Sequence, residues 1–293
     1  MDHKRITLRQ PGDGLKSPSN CNAPMNAFFS PSDPLPPGLS GSPSREEVAL
    51  TLNARFGGLD PLARLRLLGE SVEGSIVFTT SFGLEDQALT HLIVQSGIDA
   101  RFATLDTGRL FPEAYEVWAA TEERYAIRIQ GFHPDTQAVE AFVAAEGVNG
   151  FYRSPEARKA CCNARKVLPL ARALHGAAAW ITGMREDQSE YRQGLAFVTH
   201  EASRSLIKAN PLFDWPRERV AALVADQAIP ANSLHARGFL SIGCAPCTRA
   251  LQPGEPERAG RWWWETEAGK ECGLHVSPDG RLVPNQARES QPA

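Results

Sequence analysis

Four of the six cysteines fall into two close pairs. Cys161 and Cys162 are adjacent, and Cys244 and Cys247 form a C-x-x-C. Four thiolates so arranged suit either tetrahedral zinc or an iron–sulfur cluster. Neighbouring residues lie only about 3.8 Å apart at Cα. Both thiolates on one zinc would therefore close a small, strained ring, whereas a cubane offers each its own iron. The adjacent pair favours a four-iron cluster and leaves zinc as the alternative. A thioredoxin-like role for Cys244-Ala-Pro-Cys247 expects the motif beside an N-terminal βαβ pattern, and here it lies near the C-terminus. Cys272 stands apart, in Lys270-Glu271-Cys272-Gly273-Leu274-His275. A lone cysteine near a terminus is more often a spectator. Lys270 and His275, however, are nearby cations able to lower its pKa, and the thiolate is the reactive form. Gly273 keeps the backbone permissive, as a moving arm requires. Cys21 is given no role.

Basic residues gather around these cysteines. Arg158 and Lys159 precede the adjacent pair, and Arg165 and Lys166 follow it. Arg185 and Arg192 come later, and Arg258 and Arg261 precede Trp262-Trp263-Trp264. Singly, each reads as a solvated surface charge. Together, in a chain of net charge −3, they read as a receptor for a multiply charged anion, because Arg forks match phosphate and sulfate oxygens. The three tryptophans read as packing. Two loops complete the set. Ser81-Phe82-Gly83-Leu84-Glu85-Asp86 joins a strand to a helix, where backbone N–H groups attract anions. Leu105-Asp106-Thr107-Gly108 follows the next strand at the same sheet edge. An ordinary tight turn explains either loop alone, but the two together suit a nucleotide. His91 and His133 are assigned to structure.

These residues need a scaffold. The chain has 293 residues, enough for one large domain or two small ones. Apolar residues make up 42% and charged residues 22%, ordinary values for a globular protein. Nothing in the overall charge points to nucleic acid or to a membrane surface. No apolar run approaches the ~20 residues of a membrane span, and no secretory signal opens the chain. The expected location is cytoplasmic, where paired cysteines are ligands or reactive thiols more often than disulfides.

Residues 1–43 are rich in Pro, Ser, Gly and Asn, and are expected to be disordered. Ser44-Arg45-Glu46-Glu47 reads as a capping box opening a helix, and Asp60-Pro61 opens a second. Strands are predicted over 76–80, 101–105, 127–129, 178–181 and 206–209, and helices over 85–95, 111–125, 136–146 and 216–227. This alternation implies an α/β fold with an open, mostly parallel sheet and helices on both faces. Ligands bind such sheets beyond the C-terminal strand ends. The expected organisation is a nucleotide- and cluster-binding domain over 44–250, followed by a mobile C-terminal arm over 251–293 that carries Cys272.

The ordered motifs SFGLED, LDTGRLFPE, CCNARKVLPL, TGMREDQSEYR, NPLFDW, GCAPCTR, ERAGRWWWE and KECGLH resemble the assimilatory sulfonucleotide reductases, in their iron–sulfur branch acting on adenosine 5′-phosphosulfate. The similarity runs from about Ser75 to His275. SFGLED resembles a modified pyrophosphate loop of ATP pyrophosphatases without their second Gly and Asp-Ser ending, which argues against ATP. The resemblance implies an adenine nucleotide alpha hydrolase-like fold. It implies that Cys161, Cys162, Cys244 and Cys247 ligate a [4Fe-4S] cluster, and that Cys272 is the catalytic nucleophile. Lys166 would lie between cluster and substrate, and Arg185, Arg192, Arg258, Arg261 and His275 would surround the phosphosulfate. Leu105 and Thr107 would contact the adenosine part, and Ser81, Phe82, Gly83 and Gly183 would complete the substrate site.

The implied reaction is thioredoxin-dependent reduction of adenosine 5′-phosphosulfate to sulfite and AMP through an S-sulfocysteine, a step of sulfate assimilation. The implied partners are that nucleotide and thioredoxin or a similar dithiol, with no nucleic acid and no membrane, and a homo-oligomer is compatible with the sequence. The same chemistry on 3′-phosphoadenosine 5′-phosphosulfate is the nearest alternative, and its usual users lack the four cluster cysteines. A cluster-dependent RNA thiolase and a non-catalytic zinc module are more distant alternatives.

Overall fold

The computed structural model describes residues 43–189 and 192–265. The capping box opens helix α1 (Arg45–Arg55): Glu47 N–H donates to Ser44 Oγ at 3.3 Å, and Ser44 N–H donates back to Glu47 Oε2 at 2.7 Å. Helix α2 (Pro61–Ser71) is capped by Asp60, with Pro61 in the first turn where a missing N–H costs nothing.

The alternation predicted from sequence then follows. Strand β1 (Ser75–Thr80) leads to α3 (Leu84–Ser96), β2 (Ala100–Leu105) to α4 (Pro112–Tyr125), and β3 (Ile129–Phe132) to α5 (Thr136–Glu146). After α6 (Pro155–Cys162) and α7 (Leu168–Ala173) come β4 (Ala177–Ile181), β5 (Val198–Glu201), β6 (Leu206–Ala209) and α8 (Arg217–Asp226). The sheet order is β3-β2-β1-β4-β6-β5, parallel except for the β5–β6 pair. It is the mostly parallel α/β sheet the sequence implies.

Both faces are covered, so successive residues of one strand belong to different cores. Ile76 and Phe78 pack with Leu52, Leu65, Leu89 and Val220 from α1, α2, α3 and α8. Val77 between them packs with Trp180 and with Leu170 and Ala173 of α7. All five residues of β4 are buried, as a central parallel strand requires.

The chain builds outward from β1 through β2 to β3, then returns to place β4 on the other side of β1. That reversal opens a crevice beyond the C-terminal ends of β1 and β4.

Three details differ from the sequence reading. The third strand begins at Ile129, two residues later than expected, because Ala126 ends α4 in the left-handed region (φ 52°) and Ile129 N–H is taken by Glu122 Oε1 at 2.7 Å. The short, polar β5 was not predicted. Residues 251–265, expected to begin a mobile arm, pack on the domain: Arg249 N–H donates to Gly260 O at 3.0 Å, and Trp262 N–H to Cys247 O at 3.1 Å. Trp262 is buried and Trp263 half-exposed. Among the described residues, no helix is long and apolar enough to cross a membrane.

Candidate active site

The cavity at the crevice is built from the strand ends. Thr80 ends β1 and Ser81 follows it, Leu105 ends β2 and Thr107 lies just beyond, and Thr182 and Gly183 follow β4. Gly83, Arg192, Lys166, Arg258 and Arg261 complete the expected lining. The structure thus brings most of the candidate substrate residues to one place.

Two of them face elsewhere. Phe82 takes a left-handed backbone (φ 60°), and its ring stacks on Trp118 at 5.6 Å among Ala114, Val117 and Ile129. Its N–H donates to Thr80 Oγ1 at 3.0 Å. Arg185 is fully buried behind the cavity wall. It donates to Glu85 Oε1 at 3.0 Å, to Glu257 Oε2 at 2.9 Å and to Asp187.

The loop after β1 closes on its own carboxylate. Ser81 donates to Asp86 Oδ2 from its N–H at 2.6 Å and from Oγ at 2.7 Å. Burial pushes the Asp86 carboxyl up to about 6, with both Ser81 bonds opposing and the neighbouring Glu85 adding to the rise. Gly183 permits this approach, since a Cβ there would meet Asp86 Oδ1 at 2.4 Å. Asp86 was not singled out from sequence. Acids in a first helical turn are common, and nothing in the pattern shows one folded back onto the loop.

The four paired cysteines meet in a second, smaller cavity beside the first. Cys161, Cys162, Cys244 and Cys247 are all buried free thiols. They line this space together with Arg109, Arg158, Arg165, Lys166 and Trp262. Cys161 and Cys162 end α6, where the chain passes through a π-helical turn (Asn163–Val167) before α7. Pro169 lacks the N–H that an α-helix would direct to residue 165, and its ring crowds that carbonyl, which favours the wider turn. The turn contributes both Arg165 and Lys166 to the cage.

The C-x-x-C is tied to the strand ends. Ala245 N–H donates to Arg109 O at 2.8 Å, and Thr107 Oγ1 lies 3.3 Å from Cys244 Sγ. Arg158, itself buried, bonds Glu265 Oε1 at 2.6 Å and covers the Trp262 ring at 4.6 Å. This Arg158–Glu265 pair was also missed by sequence reading, its members being 107 residues apart.

Burial raises the Cys161 thiol, with Arg165 opposing. Burial and the neighbouring Cys244 push Cys247 up to about 12, with Lys166 and Arg261 opposing. Such thiols ionise at neutral pH when a cationic centre binds them. Lys166, Cys244 and Trp262 line both cavities and so form the partition between them. Cys272 and His275 lie outside the described residues.

Comparison with known proteins agrees with this architecture. Residues 75–250 match the phosphoadenosine phosphosulfate reductase domain family. The chain belongs to this family. A Sinorhizobium fredii protein named adenosine 5′-phosphosulfate reductase is 51% identical over 243 residues, covering 83% of this chain and 96% of the relative. A protein of the same name from Agrobacterium fabrum is 51% identical over 237 residues, covering 81% and 91%. Among solved structures, phosphoadenylyl-sulfate reductase from Candida auris in a phosphate complex superposes with a TM-score of 0.61 at 27% identity. It covers 72% of this chain and 100% of that one. The phosphosulfate reductase fold therefore extends over the crevice, the C-x-x-C and the strand-end loops alike.

Proposed function

We propose that this protein reduces adenosine 5′-phosphosulfate to sulfite and AMP in sulfate assimilation. The observation that carries the reading is the shared partition. A cavity at the strand ends, with Lys166, Arg192, Arg258 and Arg261 in its lining, abuts a cage of four buried cysteines, in a chain half identical to proteins named for that activity.

The cysteine cage fits an iron–sulfur cluster better than a single ion. One zinc would need its thiolates about 2.3 Å from a common point. Cys161 and Cys162 are adjacent in the chain, so both could serve one zinc only through a small, strained ring, whereas a cluster would offer each its own iron. Bound there, a [4Fe-4S] cluster with its four thiolates would carry net negative charge, which Arg109, Arg165 and Lys166 in its lining would balance, so it would help to hold these cations beside the substrate site. Cys161, Cys162, Cys244 and Cys247 would hold it, with Lys166 on the side facing the nucleotide.

The protein's own side chains do the rest. Leu105 and Thr107 receive the adenosine part, with Ser81, Gly83 and Gly183 along the strand ends. Arg192, Arg258 and Arg261 neutralise the phosphosulfate, and His275 joins them. The Cys272 thiolate attacks the electrophilic sulfur, an S–S bond forms, the S–O bond to phosphate breaks, and AMP leaves with that electron pair. The basic groups stabilise charge on the departing phosphate. One thiol of thioredoxin, or of a similar dithiol, then attacks the Cys272 sulfur. Sulfite leaves with the S–S electron pair, and the second thiol frees Cys272 as the dithiol becomes a disulfide. The cluster carries no electrons in this scheme, because the two thiols supply both. The reaction belongs in the cytoplasm, where a dithiol reductant is available.

Protein purified without air and supplied with the nucleotide and thioredoxin tests the reading. Sulfite and AMP in equal amounts, with about four irons and four sulfides per chain by analogy with four-thiolate clusters, are expected. Stoichiometric zinc without iron, or turnover only of the 3′-phosphorylated nucleotide in competition, refutes it.

A further inference from the structure

A second charged layer lies behind the cavity wall, and the proposed reaction does not use it. Arg185 is fully buried and joins two carboxylates from distant parts of the chain: Glu85 in the first turn of α3, at 2.9 Å, and Glu257, at 2.9 Å. Arg217, the first residue of α8, lies 3.7 Å from Glu85 and 3.6 Å from Glu257. Two guanidinium groups thus hold two carboxylates between them. Asp187 adds a third carboxylate to Arg185 from its more exposed side.

Glu85 and Glu257 also line the cavity. Glu257 directly precedes Arg258 in the chain, and Arg261 follows three residues later. The segment that bears these arginines has little regular structure of its own. Among its attachments are the Thr248–Arg261 bridge, the Arg249 amide bond to Gly260, the Trp262 amide bond to Cys247, the Arg158–Glu265 pair and the Glu257 ion pairs. Of these, only the Glu257 pairs fasten it to the α3 and α8 side of the cavity.

We propose that Glu257 is a positioning residue which, through Arg185, fixes Arg258 against the nucleotide cavity. The inference rests on the functional reading above, since it assigns Arg258 to the phosphosulfate. It gives a partly buried carboxylate at an anion site a reason to be there. A carboxylate lining the cavity repels the substrate, so on charge alone its removal tightens binding. If it holds an arginine in place, its removal weakens binding. The two roles predict opposite signs.

The experiment uses the full-length holoenzyme carrying Glu257→Gln, Arg258→Ala, and both together. AMP affinity and kcat/KM for adenosine 5′-phosphosulfate are measured in each. Glu257→Gln is expected to lower kcat/KM about tenfold, and the double variant to be no worse than Arg258→Ala alone within about threefold, because one residue acts through the other. If the Gln variant fails to fold, Glu257→Asp, which keeps the charge and withdraws it by one methylene, is expected to show the same non-additivity with a smaller loss. Tighter or unchanged nucleotide binding in Glu257→Gln, or losses that multiply in the double variant, overturns the inference while leaving the reaction standing. A wild-type holoenzyme that binds neither nucleotide and yields no sulfite overturns the reaction, and the inference with it.

Discussion

The cavity lining carries two sets of charges, carboxylates at the start of α3 and a lysine and arginines from turns and loops, and the two are held by different means. On the α3 side, Asp86 accepts from both donors of Ser81, and Glu85 is gripped by Arg185. Donors and acceptors there are matched within a few residues of regular structure. On the cysteine side the cations come from a π-helical turn and from loops. They are gathered by contacts far apart in sequence, such as Arg165 Nη1 donating to Thr107 O at 2.7 Å and Arg158 donating to Glu265 Oε1 at 2.6 Å. The first set is settled by the sheet. The second depends on the cage being assembled. Removing groups from the cage side should therefore change chemistry with little change in folding, whereas the α3 wall should report in stability.

The sharpest break in this comparison is Cys272→Ser. Serine has a far higher pKa and supplies almost no anion at neutral pH, so sulfite release should fall to background. The iron content and AMP binding should persist. In the wild type, mass spectrometry after mixing with substrate and no reductant should find the sulfonate on the peptide bearing Cys272. An adduct on Cys21 or a cage cysteine instead would relocate the nucleophile.

Next in size is Cys247→Ala. It should lose most of its iron, and activity should drop by more than the about 10–100-fold typical of residues that merely support a metal ligand. Far-UV circular dichroism should barely move, because Cys247 packs with Phe142, Phe151 and Trp262 and outside both sheet cores. Collapse of the secondary structure would show that the two regions fold as one.

Arg258→Ala and Arg261→Ala come third. Each removes a charge-assisted contact of about 1.5–3 kcal/mol, or roughly tenfold to a hundredfold in kcat/KM. Their melting temperatures should stay near that of the wild type. Unchanged efficiency in both would take them out of the substrate site and leave Arg261 as a packing partner of Trp262.

The smallest effect is expected on the α3 wall. The Asp86 carboxyl is raised to about 6 in the folded protein, above its value of roughly 3.9 when unfolded. Between those values the folded state binds the extra proton, so this group makes the protein more stable as pH falls from 7 towards 5. Glu257 is raised in the same direction, and the depressed His91 and His235 act oppositely. The difference between wild type and Asp86→Asn isolates the one group. Melting curves from pH 5 to 7.5 should converge at the acid end and favour Asn at the neutral end. Parallel curves would mean that Asp86 is not buried in its charged form.

Sequence carried most of the sheet because its central strands are short β-rich runs separated by helices of regular spacing. Thr136–Glu146 and Leu206–Ala209 have the predicted ends. The β5 strand, Val198–Glu201, escaped because VTHE is as polar as a loop and pairs with one strand alone, its antiparallel neighbour. No helix was predicted across Pro155–Ala173, where two prolines interrupt the pattern. For the site, residue types showed that cations and thiols gather, and the spacing grouped the cysteines. Side-chain direction was not legible. Phe82 and Arg185 lie in the right loops, yet one turns into the α4 cluster and the other into a carboxylate network. Glu257 beside two arginines looks like any surface acid until Arg185, 72 residues away, is placed against it.

Trp262 is buried, lines both cavities, and lies between the guanidinium groups of Arg158 and Arg261 at 4.6 and 4.7 Å. An indole between two cations emits light whose colour follows the local electric field. Nucleotide entering on one side, or metal leaving on the other, shifts the charges that set that field. The protein thus carries a fluorescent gauge in its partition, and because the chain has six tryptophans the emission of Trp262 is read as the difference between wild type and Trp262→Phe.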